Sequence, residues 1–499
     1  MSKNEEHQLH CPIEVQFNKI SCYHYYFLFL VFSSKIPIFW HVLNLIFLAP
    51  PMEYTCEGGD TSNSSKNLCP CDKPQWNRSK FTETMQTKFH LLCGNAWNIS
   101  FSHIMMYTGF LAGAMLFGYL SDRNGRLLSF SSSCLLMALS GSFVSIMPTT
   151  TTYTLMRTIE GIGTGGAIIT SYVLCIEYIG TKYREIITAL FNIPVNIGHM
   201  TLPLISYLLP HCDQFQLAIS IPIFFYAFLP WMVMESPRWL LDSGRHNKAI
   251  IVMENVAKFN KQPYEDIRDQ IEEYLTKRPP GTKTNLKFYQ IFRHKTMSLI
   301  LIYLSIIYFL CGMGYYGVSQ LIGKMSGDIH INVAISGALL LPGTISSIFL
   351  LKILNRKTML MFSIFLSGLF MIISVCIPFT YNWIRVIIAC ICNCFFFISF
   401  IVVFLYGVEL FPTSVRNSVL GFLSVLSRIG QIVAPLVNTL SENVAGAVFG
   451  GFALIGSLFC FLLPETKDTE LPSSLEDTKR LTKKVKQRGS IQINSENNT

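Results

Sequence analysis

The sequence predicts an all-α integral membrane protein, with twelve transmembrane helices in two six-helix pseudo-repeat bundles. Three observations carry that expectation. Of the 499 residues, 51% are hydrophobic and only 14% are charged, against roughly 25% charged in an average globular domain. Twelve mostly apolar stretches reach the ~20 residues that a helix needs to cross the hydrocarbon core, where no unpaired backbone is tolerated. Several charged motifs then recur about 230 residues apart, at matching places in the two halves. A soluble fold, a disordered chain and a collagen-like fibre are excluded by the same composition. The net charge of +9 would suit nucleic acid, but its placement favours a membrane surface and no nucleic-acid partner.

In chain order the expected spans are 25–49, 101–120, 127–147, 153–176, 186–209, 215–234, 297–318, 331–354, 358–379, 382–406, 417–438 and 444–463. The first carries Lys35 and is followed by polar His41 and Asn44, which make it the weakest. An uncleaved first helix is preferred to a signal peptide, because Ala49-Pro50-Pro51 is a poor cleavage site. The expected organisation is a cytoplasmic N-terminus over 1–24 and a first bundle over 25–234 with a loop at 51–100. A linker at 235–296, a second bundle over 297–464 and a basic tail over 465–499 follow.

The loop 51–100 holds Cys56, Cys69, Cys71 and Cys93 and three sequons, at Asn63, Asn77 and Asn98. Four cysteines allow three pairings, and Cys69 and Cys71 are too close to pair readily with each other. The linker carries 12 Lys/Arg against 8 Asp/Glu, and the tail 479–488 holds six Lys/Arg. Alternating twelve spans puts all the basic-rich loops on one side, which is cytoplasmic by the positive-inside rule. The cysteine loop then lies outside, where disulfides persist and sequons are modified. Within the linker, Ile267, Ile271, Tyr274 and Leu275 follow helical spacing. Short amphipathic helices beneath the bundle fit better than a catalytic module.

The repeat appears at three places. Glu177 and Arg184 after span four return as Glu409 and Arg416, 232 residues on; Arg157 returns as Arg385 at 228, and Arg123 as Arg356 at 233. Duplicated halves are the signature of many secondary transporters, which bind substrate near the midplane and rock around it. Gly118, Asp122, Arg123, Gly125 and Arg126 form a tight cytoplasmic turn. Gly118 is expected to allow close helix approach, Gly125 to make the turn, and Asp122 to pair with a basic neighbour as a conformational latch. The second copy, around Arg356, lacks both the acid and the glycine, so its latch is expected to be weak. Glu177 and Glu409 are expected to pair with these turns, because Arg184 and Arg416 lie too far along each helix.

Arg157, Glu160, His199 and Arg428 lie within apolar spans, where ionisable groups are expensive. Arg157 and Glu160, three apart, suit a structural pair as well as a functional one; His199 suits a helix–helix hydrogen bond better than a proton site. Gly161, Gly163, Gly165 and Gly166 formally match a dinucleotide fingerprint, but lie in a membrane helix without its strand or acid, so close helix packing explains them. No phosphate-binding GxxxxGK[ST] loop occurs in the sequence.

Together these stretches resemble the major facilitator superfamily and, within it, the organic cation/anion/carnitine transporter family (solute carrier family 22). The resemblance covers about 25–475. It rests on the Cys-rich outer loop, Gly118–Arg126, Arg157 with its glycines, Glu235-Ser-Pro-Arg-Trp-Leu240, Tyr315-Tyr316-Gly317, Glu409–Arg416 and Leu463-Pro-Glu-Thr466. Departures are four loop cysteines where six are usual, a degenerate second turn and a divergent N-terminus. The resemblance implies a plasma-membrane carrier of small organic ions working by alternating access, with no enzymatic activity, no cofactor and no metal. Its coupling ion would be Na⁺, a proton or a counter-anion. It places Tyr172, Tyr315 and Tyr316 in the cavity and likens Arg428 to the arginine of anion and carnitine carriers. Span eight reads Leu339-Leu-Leu-Pro342, without the glutamate common in cation carriers. An anion or zwitterion is therefore favoured, with an aromatic-lined cation carrier and a non-transporting receptor or scaffold as rivals. If Arg428 were structural instead, Glu160 is its candidate partner.

Overall fold

The computed structural model describes residues 12–56, 69, 71, 73–180, 183–277, 288–411 and 413–467. Membrane helices are labelled here in chain order. The first half has α1 (Cys22–Leu43), α2 (Trp97–Asn124), α3 (Arg126–Ile146), α4 (Thr150–Glu177), α5 (Ile193–Leu208) and α6 (Cys212–Ala227). The second has α7 (Lys295–Lys324), α8 (Ile329–Ile353), α9 (Arg356–Cys376), α10 (Asn382–Leu410), α11 (Thr413–Val437) and α12 (Glu442–Phe461). Among the described residues, ten of these are long and apolar enough to cross a membrane. The expected fifth and sixth spans are the exceptions, because each is interrupted. Arg184–Leu190 is separated from α5 by Phe191-Asn192, just before Pro194, and α6 stops at Phe228 before Leu229–Met232, which contains Pro230. Proline removes an amide donor and clashes with the preceding turn, so a helix breaks there.

The helix surfaces identify the solvent. Phe29, Leu204, Phe349 and Leu458, from four different helices, are each about 60% exposed or more. Apolar exposure on that scale is stable only against lipid tails. Inside the first half, α2 and α4 meet along glycines. A Cβ at Gly161 or Gly165 would overlap the carbonyls of Met106 or Phe110, and one at Gly109 or Gly113 would overlap those of Thr158 or Ile162. The glycine run is thus a packing surface, as expected. Gly118 is different: a Cβ there would meet open space, so it does not serve close helix approach in this state.

The halves touch chiefly through α2 against α11 and α5 against α8. These two contacts exchange when each helix is advanced six positions, so the interface itself follows the repeat. The hydrogen bonds and ion pairs that join the halves lie at the middle and at the disulfide-bearing end, called outer here. Lys80 pairs with Asp328 at 3.0 Å, and His330 stacks on Phe47 and Phe81. Deeper, Asn196 donates to Thr344 Oγ1 at 2.6 Å. The outer side is the closed one.

Two disulfides, Cys56–Cys71 and Cys69–Cys93, select one of the three pairings and staple the outer loop. Closing loops of this size contributes ~3 kcal/mol each in the chain-entropy view. A two-stranded antiparallel ribbon, β1 (Tyr54–Cys56) and β2 (Pro74–Trp76), lies between them. Asn77 is exposed just after β2, and Asn98 sits half-buried in the first turn of α2; Asn63 lies outside the described residues. Beneath the first half lie the linker helices Pro237–Asp242, His246–Phe259 and Ile267–Lys277. Ile267 and Ile271 are buried there, as their spacing predicts. The Tyr23 amide donates to Asn260, and the rings of Tyr23 and Tyr26 pack on Phe259.

Candidate functional site

Two arginines, Arg157 buried and Arg428 half-buried, have different surroundings. Arg157 on α4 is fully buried and pairs with Glu160 one turn on, at 3.3 Å. Glu160 also accepts from Asn44 at 3.3 Å and Gln216 at 3.2 Å and pairs with His41, while Arg157 donates to the Asn44 carbonyl at 2.9 Å. The network ties α1, α4 and α6 together and resolves the two readings of Arg157 and Glu160 towards structure. It also removes Glu160 as a partner for Arg428. Sequence reasoning missed His41, Asn44 and Gln216; the first two were noted only as blemishes of an apolar span.

Arg428 on α11 lies at the junction of the halves. Its guanidinium sits 4.2 Å from the Phe110 ring on α2, donates to Gln431 at 3.1 Å, and neighbours the Tyr316 hydroxyl on α7. Among the described residues no carboxylate pairs with it. Tyr107 extends the aromatic wall: its ring is edge-on to Tyr316, and its hydroxyl accepts from Gln320 at 3.4 Å. Tyr315 lies behind Tyr316, buried against Phe397 and Phe400. Tyr172 is 37% exposed and meets Phe191 edge-on, beside Cys175 and Ile187.

A second cation belongs to this region and was not singled out from the sequence. Lys35 on α1 is buried, donates to the Ile168 carbonyl at 3.2 Å and lies 4.1 Å from the centre of the Phe191 ring. No carboxylate pairs with it among the described residues, and it is near enough to Arg428 for the two charges to repel. The available signal was an ionisable group inside an apolar span. His199 at the α5–α8 contact is buried, and neither ring nitrogen has a partner among the described residues. The helix–helix hydrogen bond expected of it is not formed.

At the end opposite the disulfides the repeat becomes geometric. Arg126 pairs with Glu177 at 3.0 Å and with Asp122 in its own turn. The Glu235 carboxylate accepts from the amides of Arg126 and Leu127 at 3.1 Å, at the start of α3. Burial pushes the Glu235 carboxyl up, and the amides of Ser236, Leu127 and Arg126 oppose that shift. Gly125 has φ 116°, and a Cβ would overlap Glu235, so glycine is required. In the second half Arg356 pairs with Glu409 at 3.2 Å, and Glu465 accepts from the amides of Arg356 and Lys357. Arg356 therefore corresponds to Arg126, 230 residues earlier, and not to Arg123, which lies exposed in the last turn of α2 beside Tyr119. Where Asp122 stands in the first copy, Arg356 meets the Leu351 carbonyl. The second copy has thus lost the acid but kept its arginine–glutamate pair. Arg416 bonds only the Phe411 carbonyl among the described residues, and the Arg184 side chain lies outside them.

Arg385 is not a strict counterpart of Arg157. It lies a turn nearer the outer end, pairs with Glu442 at 2.8 Å, donates to Asn443 and covers the Phe379 ring.

The profile of the sugar (and other) transporter family matches residues 57–474. Solute carrier family 22 member 3 of Rattus norvegicus is 30% identical over 423 residues, spanning 84% of this chain and 76% of its own length. The chain belongs to solute carrier family 22. An organic cation transporter protein of Drosophila melanogaster is 29% identical over 87% of this chain and 81% of its own. Organic anion transporter 3 of Oryctolagus cuniculus is 29% identical over 83% and 78%. The fold is similar to the inward-open xylose transporter XylE from E. coli, with a TM-score of 0.69 at 16% identity, covering 92% of this chain and all of that one. As a family 22 member the chain is a multi-pass organic ion transporter and not an enzyme.

Proposed function

We propose that this family 22 transporter carries an organic anion, or a zwitterion presenting a carboxylate, by alternating access in the plasma membrane. One observation carries the reading. Arg428 is a cation at the junction of the halves with no carboxylate partner among the described residues, while Glu160 is committed to Arg157 and His41. A charge held there costs about 3 kcal/mol or more unless wetted or paired. A substrate carboxylate can complete it, because a guanidinium binds that group bidentately. Lys35 adds a second positive charge, and Phe110, Tyr107, Tyr316 and Tyr172 supply apolar walls for an organic body. The Arg126–Glu177–Glu235 and Arg356–Glu409–Glu465 clusters act as hinges that hold each half rigid at its cytoplasmic end while the halves rock. Na⁺, a proton or a counter-anion drives the cycle, and Asn63, Asn77 and Asn98 are the glycan sites of the outer loop.

The cation reading has its own support: a relative named as an organic cation transporter, and aromatic faces that favour cations. The experiment compares uptake of an aromatic carboxylate, carnitine and a simple quaternary ammonium by cells expressing the chain, with and without imposed Na⁺, proton and voltage gradients. Saturable carboxylate or carnitine uptake is expected. Robust uptake of the quaternary ammonium alone would establish the cation carrier instead, and no uptake of any class would favour a receptor or scaffold.

A further inference from the structure

Far from the central cations, on the outer face of the first half, two chain segments are laid side by side. The Thr82 amide donates to the Pro210 carbonyl at 3.1 Å and the Cys212 amide to the Glu83 carbonyl at 3.0 Å, and Glu83 and His211 form a parallel bridge. This pairing brings the side chains of Glu83, His211, Cys212 and Asp213 together, with one ligand atom from each lying within 4.8 Å of all the others. His211 Nε2 contacts Glu83 at 3.0 Å, and its Nδ1 is buried with no hydrogen-bond partner among the described residues. Cys212 is a buried free thiol, outside both disulfides.

We propose that Glu83, His211, Cys212 and Asp213 form a zinc site on the outer face of the transporter, fixing the disulfide-stapled loop to the start of α6. The donor set argues for the metal. One imidazole nitrogen, one thiolate and two carboxylates make a four-coordinate borderline-soft shell, the type that zinc takes; calcium and magnesium take oxygen ligands alone. Zinc bonds of about 2.0–2.3 Å place tetrahedral ligands roughly 3.3–3.8 Å apart, so side-chain shifts of about 1 Å close the shell. The backbone pairing positions the ligands before any metal arrives. Lys88 now holds Asp213 at 2.7 and 2.8 Å and also donates to the Ser145 carbonyl at 3.2 Å. On binding, Cys212 releases its proton to solvent and Asp213 turns from Lys88 to the metal.

The test uses the purified full chain with its disulfides intact. Zinc chloride is titrated by calorimetry, and cobalt chloride is used as a coloured probe whose near-ultraviolet absorption reports thiolate coordination. One metal per chain and a thiolate band are expected. Cys212→Ser should abolish the band, Cys376→Ser (an exposed thiol elsewhere) should leave it, and His211→Ala should weaken binding at least tenfold. Lys88→Ala should strengthen binding, because it frees Asp213. If Cys212→Ser is not recovered folded, the His211→Ala and Lys88→Ala titrations decide. No saturable zinc binding by the wild type, a band that survives Cys212→Ser, or affinity unchanged in both other variants would overturn the site.

Discussion

Arg157 and Arg428 are the same residue type on membrane helices of the two halves, yet their surroundings differ. Arg157 is enclosed by Glu160, Asn44 and, through Glu160, by His41 and Gln216. Arg428 has a ring, an amide and a phenol. A buried arginine already neutralised by a carboxylate has little charge left for a ligand, and removing one partner leaves the other charge stranded. A cation held only by neutral groups keeps that capacity. The site is marked by what Arg428 lacks.

The largest expected effect breaks the satisfied side. Glu160→Ala strands Arg157 and should cost about 3–5 kcal/mol, seen as loss of surface protein in a biotinylation assay. Normal surface levels would mean that the network is dispensable and the contrast false. Next is Arg428→Ala, which should reach the surface and lose anion uptake by about 10- to 100-fold, the equivalent of one hydrogen bond to a charge. Arg428→Lys should retain part of it with a raised saturation constant. Unchanged uptake of an anion by a well-trafficked Arg428→Ala protein would sink the proposed role. Lys35→Met sharpens the comparison: a several-fold rise in the saturation constant for anions is expected, with surface level kept. If uptake of a neutral probe falls equally, Lys35 is structural.

Smaller effects belong to the two ends of the molecule. Asp122→Asn removes one of two acids on Arg126 while Glu177 remains, so folding should persist with slower turnover in a counterflow assay. At the outer closure, burial raises the Asp328 carboxyl, but the Lys80 ammonium and the amides of His330 and Ile331 outweigh it and hold the carboxyl below its usual range. A depressed acid contributes above its unfolded value of about 4 and loses that contribution as pH falls through the lower folded value. Asp328→Asn should therefore increase outer accessibility to a thiol reagent at a cysteine placed on α8.

Much of this molecule was legible in its residues, because membrane burial imposes a local rule: every crossing segment must be apolar and hydrogen-bonded within itself. That rule located the spans. It located the first span despite Lys35, His41 and Asn44, and recovered the repeated glutamates at 177 and 409. What it could not settle were matters of partnership. The fifth and sixth spans were expected unbroken, and only the structure shows that each parts beside a proline. The repeat register of Arg356 depended on which arginine reaches Glu409, a three-residue difference on a helix turn that spacing alone cannot separate. Four cysteines left three pairings open until the ribbon brought Cys56 to Cys71. Two residues that made the first helix look doubtful, His41 and Asn44, became partners of Glu160, and Glu83 met His211 across 128 positions of chain. Periodicity and composition act within about 20 residues, so the sequence determined the elements. Charge satisfaction acts over a few ångströms between segments far apart in the chain, so only the tertiary structure decided which charges in the helix interior have a carboxylate partner and which have none among the described residues.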